Sequence, residues 1–292
     1  MASFRMIWLS AQTNFHKIAF NPRVYIVLAI MFIYQYYTFS PLKELANYLQ
    51  QDVSPWSFPF FIQNPSLFFI IGGTALLFYG HAPFIDAHTD FLLIRTGRRN
   101  WILGQILYMI LSSFLYTLLY VIGSIVILLP NVVFTREWGS VLEVLSTEQI
   151  SQIPREIGLQ FQPIAIVMAE FSPIQAMMIG FLLFWLGTLF IAAILLFFNL
   201  MLGKNSGMIV AGALISLAYF SVYLGRLNFG DQIFFFSPVS WVSLTYLDWA
   251  HQGNLPSITF ALINYGFWNL LLLGGSAQLF IHKDTDTFKG GK

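Results

Sequence analysis

With 292 residues, of which 57% are hydrophobic and only 9% charged, the chain has too little polar surface for a water-soluble domain, in which about a quarter of residues carry charge. A formal charge of +1 gives no overall pull toward nucleic acid, and no basic tract makes a local patch for it. Cysteine is absent, which excludes disulfides, thiolate metal sites and a cysteine nucleophile.

The first 22 residues have no continuous apolar core and no small-residue cleavage site, so the reading is of a chain whose first span is its own insertion signal. Within them Phe4, Trp8, Ala11, Phe15 and Ile18 recur at spacings of three and four, while Arg5, Gln12, Asn14, His16 and Lys17 lie more toward the other faces. This predicts an amphipathic helix over residues 1–22 lying on the inner membrane surface, with Phe4, Trp8, Phe15 and Lys17 as its contacts. It serves either as a plain anchor or as a lever against a cytoplasmic partner. Asn21-Pro22 then turns the chain into the bilayer.

A hydrocarbon core of about 30 Å needs about 20 helical residues. Six apolar segments approach that length: Pro22 to Ser40, Ser66 to Phe84, Ile102 to Leu129, Ile174 to Leu202, Gly207 to Leu224, and Ser257 to Ile281. They are apolar on all faces and longer than the alternating segments of a membrane barrel, so the expected fold is an all-α integral membrane protein with six transmembrane helices. Ten of the Lys and Arg residues fall on the side holding both termini (Arg5, Lys17, Arg23, Arg95, Arg98, Arg99, Lys204, Lys283, Lys289, Lys292). Four fall on the other (Lys43, Arg136, Arg155, Arg226). The positive-inside rule then places both termini, and the tail 282–292, in the cytoplasm of a cell whose cytoplasmic (inner or plasma) membrane holds the chain.

Of the connections, Asn131 to Pro173 is too long for a simple turn and too apolar for disorder, and predicts short helices capping the outer end. It also carries Glu137, Glu143, Glu148, Glu156 and Glu170. The last external connection, residues 225–256, contains the apolar run Phe234 to Trp249, which is interrupted at Ser237-Pro238 and includes Trp241. After Pro238 it is too short to span, and predicts a re-entrant or interfacial hairpin.

Catalytic signatures are missing. Gly203-Lys204-Asn205 lacks both the upstream glycine and the hydroxyl residue of a phosphate-binding loop, and there is no HExxH or GxSxG. The bundle interior lacks a convincing ionisable residue, whereas ion-coupled carriers keep carboxylates or histidines at membrane depth. His81, Asp86, His88 and Asp90 are suitable metal-ligand types, but their spacing matches no specific site, and they read as ordinary loop polarity. Gly203 to Gly207 matches GxxxG formally, yet reads as a turn. The intramembrane amides Gln35, Gln105, Asn199, Asn264 and Asn269 are candidates either for lining a pathway or for bonding helices to one another.

The loop Asp86 to Trp101 (DAHTDFLLIRTGRRNW) joins the second and third spans. Positive-inside topology and a Trp anchor account for Arg95, Arg98, Arg99 and Trp101, but not for Phe91, Leu92, Leu93 and Ile94, which follow Asp90. A short amphipathic helix docked in a partner's groove accounts for both.

Together these features resemble the membrane permease subunit of ABC transporters of the type-2 exporter class. The resemblance covers nearly the whole chain. It rests on six spans with both ends inside, the N-terminal interfacial helix, the R-[ST]-G-R-R-x-W-like run from Arg95 to Trp101, and the Pro-containing hairpin before the last span. It implies no catalysis in this chain, and separate cytoplasmic ABC ATPase subunits that bind ATP and Mg. It further implies a second permease copy or a paralogous permease, membrane lipids around the pair, and outward movement of an amphiphilic cargo such as a peptide antibiotic, lipid or drug. By the same resemblance 86–101 is the coupling segment. The external loop 131–173 is longer and more acidic than a minimal member's, which leaves room for a non-identical partner permease. A self-contained carrier or channel, and a structural or regulatory membrane subunit, are the other readings of the same residues.

Overall fold

The computed structural model describes residues 3–18, 20–61, 63, 65–85, 89–147, 153–249 and 253–282. Asp86, His88, Glu148 and the tail from Lys283 onward, all of which enter the reading above, lie outside the described residues. The chain is all-helical. In order it forms α1 (Phe4–Ile18), α2 (Pro22–Leu49), α3 (Ser66–Tyr79), α4 (Thr89–Thr96), α5 (Arg98–Leu128), α6 (Ser140–Ser146), α7 (Ala165–Glu170), α8 (Pro173–Leu202), α9 (Ser206–Phe220), α10 (Arg226–Phe229) and α11 (Ile258–His282). Two isolated backbone bridges, Val53 with Val132 and Asp248 with Ser257, are the extended pairings among the described residues.

Five helices are long and apolar enough to cross a membrane: α2, α5, α8, the run begun by α9, and α11. The expected second span differs. Helix α3 stops at Tyr79 after 14 residues, about 21 Å at the usual helical rise, and residues 80–84 turn. Gly80 and Pro83 are poor continuations of a helix, for reasons of backbone entropy and a missing N–H. The first span departs in the other direction, since α2 runs on through Pro41 to Leu49. Proline costs a helix one backbone bond and a ring clash, and here Pro41 is buried, so packing outweighs the local penalty. Past Phe220 the helix widens into a π-helical turn over Ser221–Gly225 before α10.

Helix starts follow their sequence. Asn21 caps α2, accepting from the Arg23 backbone N–H at 3.1 Å with Pro22 in the first turn. Ser172 caps α8 in a capping box closed by Gln175, with Pro173 at the first helical position.

Helix α8 is the centre of the bundle, packed on α3, α5, α9 and α11, and its run Leu189 to Leu196 is buried throughout. Side-chain bonds show which helix ends belong together. At one end Ser3 N–H donates to Asn100 Oδ1 at 3.0 Å, Asn14 Nδ2 to Gln105 Oε1 at 2.8 Å, and Asn199 Nδ2 to the Ala82 carbonyl at 2.8 Å. At the other, Lys43 Nζ donates to the Leu129 carbonyl at 2.6 Å and Asn131 Nδ2 to Asn47 Oδ1 at 2.7 Å. The first end gathers Arg5, Lys17, Arg23, Arg95, Arg98, Arg99 and Lys204, and is called the basic end below. At the opposite end α6 and α7 bury Val141, Leu142, Leu145 and Val167, and Trp138 Nε1 bonds the carbonyls of Met168 and Phe171.

Close helix contact is set by small residues. A methyl group on Gly187 of α8 would stand 2.3 Å from Val242 Cγ1 and 2.9 Å from Tyr265 Oη. Gly187→Leu is expected to lower thermal stability in detergent by about 1–3 kcal/mol through overpacking. Gly212→Leu, where nothing lies within 4 Å of the added carbon, is the control that should leave it unchanged.

Candidate functional site

Three features of the described residues bear on function: the basic-end helix α4, a seam of hydroxyls inside the bundle, and two irregular segments buried at the far end.

Helix α4 has eight residues and is joined to α5 through Gly97, whose φ of +78° is disfavoured for residues bearing a Cβ. The corner is bonded on both sides, with the Thr96 hydroxyl donating to the Leu92 carbonyl at 2.7 Å and Asn100 Nδ2 to the Thr96 carbonyl at 2.7 Å. The helix divides the four apolar residues of the expected docking segment. Leu92 and Leu93 are half-buried against the core, whereas Phe91 is 69% exposed and Ile94 is 83% exposed. Residues three apart share a helix face, so Phe91 and Ile94 form one outward apolar ridge, flanked by exposed Asp90, Arg95 and Arg99, with Arg98 half-buried. Trp101 is not on that surface. It is 1% exposed, and its ring stacks on Phe280 of α11 at 4.8 Å.

Helix α1 is seated on α5 and touches α4. Its buried positions are Ser10, Ala11 and Asn14. Gly104 of α5 makes room for it, since a Cβ there would stand 2.4 Å from Ser10 Cβ. The apolar stripe read as membrane-facing is therefore split. Phe15 turns inward, edge-on to Tyr108 at 5.0 Å, and Phe4 and Trp8 stay exposed at 76% and 48%. Lys17 borders a cleft between α1, α2 and the end of α3.

The five intramembrane amides do not gather along one route. Gln105 accepts from Asn14, and Asn199 bonds the carbonyls of Gly80 and Ala82 while accepting from the Gly207 N–H. Asn264 donates to the Phe260 carbonyl of its own helix. Asn269 donates to the Leu186 carbonyl at 3.2 Å. Gln35 Oε1 and Asn269 Oδ1 are buried with no hydrogen-bond partner.

A polar seam was missed in the sequence although its signal is plain there. Tyr108, Ser112, Tyr116, Tyr120 and Ser124 recur every four residues and line the buried face of α5 over about 24 Å of helix. Helix α3 answers it, with Tyr79 Oη 3.0 Å from Ser112 Oγ and Thr74 Oγ1 2.6 Å from Tyr116 Oη. Hydroxyls at this spacing read in one dimension as scattered polar residues of an apolar span. Their meaning depends on which helix faces them.

At the end opposite α4, two irregular segments are buried in the bundle. The expected hairpin forms three 3₁₀ turns, Gly230–Phe236, Pro238–Val242 and Leu244–Tyr246, packed against α8, α9 and α11. Trp241 is 3% exposed and donates from Nε1 to the Phe234 carbonyl at 2.7 Å, and the carbonyl of half-buried Pro238 accepts from Tyr265 Oη at 2.6 Å. The second segment, Val53 to Phe61, carries no sequence expectation. Phe58, Phe60 and Phe61 are each 3% exposed or less, and they meet Phe184, Trp138 and Tyr120 at 5.8, 5.3 and 5.5 Å. Tyr246 of the first segment donates to the carbonyl of Gln63, two residues past the end of the second, at 3.4 Å. Buried hydroxyls of Ser57, Ser237 and Thr245 have no hydrogen-bond partner, and all lie in these segments.

No group of three or more His, Asp and Glu residues able to hold a metal occurs among the described residues, and Asp86 and His88 lie outside them. Comparison of the sequence with family models and curated proteins, and of the fold with solved structures, returns no match. The fold and its apolar helices define the class as an all-helical membrane protein with several candidate spans.

Proposed function

We propose that this chain is the non-catalytic permease subunit of an ATP-driven exporter of the type-2 ABC class. The observation that carries the reading is α4, a short helix at the basic end, fixed to a spanning helix through Gly97 and presenting Phe91 and Ile94 beside Arg95 and Arg99. Exposed apolar residues next to cations, off the bundle, fit a partner groove better than they fit water. In this reading the shorter apolar helix α3 makes the sixth crossing. Both termini and α4 are cytoplasmic, and the membrane is the inner or plasma membrane. Two cytoplasmic ATPase subunits supply ATP and Mg chemistry, and a second permease, identical or paralogous, completes the transporter.

The cargo is amphiphilic. Residues 53–61 and 230–249 close the outer end as an aromatic plug, and the re-entrant placement of the second belongs to this proposal. The unpartnered hydroxyls of Ser57, Ser237 and Thr245 support it, because buried polar groups without partners destabilise the closed packing that traps them.

Copurification of the tagged chain from its native membrane is the direct test. Recovery with a nucleotide-hydrolysing subunit whose activity responds to cargo supports the proposal, and recovery alone with full transport in reconstituted vesicles overturns it. Topology has its own check. With no native cysteine, a single cysteine at Thr135 should react with an impermeant maleimide in intact cells, and one at Arg95 only after lysis. Reversal of that pattern rejects the orientation.

A further inference from the structure

A cleft of about 240 Å³ opens at the basic end where α1 stops, α2 begins and α3 ends. One wall is apolar, formed by Ile18, Val24, Phe78, Phe84 and Ile85 with the ring of Tyr108. The other carries Asn14, Lys17, Asn21 and His81. His81 lies in the turn that Asn199 ties to α8 through the carbonyls of Gly80 and Ala82. Partial burial, Arg23 and Lys204 in that order hold the His81 imidazole below its usual pKa. Lys17 of α1 lines the cleft itself, and Arg23 in the first turn of α2 and Lys204 in the α8–α9 turn stand close enough to His81 at its edge to act on that ring.

We propose that this cleft binds the phosphate of an anionic lipid headgroup, with the lipid's glycerol and first methylenes against the apolar wall. The site lies at the start of α2, a helix long enough to span, which is the depth of headgroups in a bilayer. Convergent Lys and Arg side chains near a span end are the usual recognition chemistry for anionic lipids. A free phosphate ion offers the same charge but makes no use of Ile18, Val24, Phe84 and Ile85. The inference needs only that the chain spans a membrane, and is independent of the transporter reading.

The test uses the full chain, delipidated in detergent and titrated with phosphatidylglycerol or phosphatidylcholine, with retained lipid counted by native mass spectrometry. Phosphatidylglycerol should be retained in preference. Lys17→Gln with Lys204→Gln should weaken its retention by about 25-fold, about fivefold for each charge removed, and Arg at both positions should preserve it. Lys204 is exposed in a turn, so Lys204→Gln alone leaves folding intact and should still lose about fivefold. Equal retention of the two lipids by the native chain, or undiminished retention by the Lys204→Gln variant, overturns the proposal. Displacement of phosphatidylglycerol by inorganic phosphate at matching concentration assigns the cleft to a free anion and overturns the lipid assignment.

Discussion

Replacing Phe91 and Ile94 together with aspartate is expected to weaken binding of the cytoplasmic ATPase by about a hundredfold or more, while the protein still inserts and folds. Both side chains are largely exposed in the isolated chain, so the substitution removes no packing within the bundle. In the proposed complex the ridge is buried in a groove, where an unpaired carboxylate costs several kcal/mol, and each 1.4 kcal/mol is tenfold in affinity. Arg95→Ala with Arg99→Ala should give a smaller loss that disappears at high salt, because charges at the rim of an interface are screened. The same aspartates at Leu92 and Leu93 should behave differently. Those residues pack against the core, so the result should be lower yield and thermal stability rather than selective loss of the partner. Normal copurification and ATPase stimulation in the Phe91, Ile94 variant would leave α4 a surface helix and remove the main support for a coupled permease.

The second large effect is expected at Trp101. Its side chain is 1% exposed, stacks on Phe280 at 4.8 Å, and its backbone carbonyl accepts from Ser10 of α1 at 3.4 Å. Trp101→Ala should cost about 3–5 kcal/mol, the range for emptying a buried aromatic site, and should loosen α11 from the start of α5. Thermal unfolding in detergent measures the loss. Trp101→Phe should recover much of the stability by keeping the stack. Wild-type stability with lost ATPase binding would instead return Trp101 to the docking surface, against its burial.

How far the sequence could be read depended on the range of the interaction. The helical class follows from runs that are apolar on every face, because a bilayer leaves a chain no other way to satisfy its backbone than helices or closed barrels. Helix starts at Asn21-Pro22 and Ser172-Pro173 are equally local, since capping needs only the residues of one turn. The first apolar segment was read as Pro22 to Ser40, whereas the helix runs on to Leu49 through Pro41, a helix breaker in isolation. Burial of its ring among packed neighbours decided otherwise. The second span fell short for the converse reason: hydropathy continues to Phe84, but the backbone leaves the helix after Tyr79.

The candidate sites divide in the same way. That residues 89–101 hold an amphipathic element is a matter of composition and spacing, visible in one dimension. Which of Phe91, Leu92, Leu93 and Ile94 faces outward depends on the rotation of an eight-residue helix about Gly97, and its contacts with α1 and α5 set that rotation. The plug segment Val53 to Phe61 was invisible as a site because its prolines and aromatics resemble a loop until α5 and α8 surround them. By itself the sequence determined that the chain belongs to a membrane and where most helices lie, since hydrophobic length and capping act over a few turns. Only the tertiary structure decided which polar groups are bonded, which are stranded, and which apolar residues remain for a partner, because burial is a property of neighbours distant in sequence.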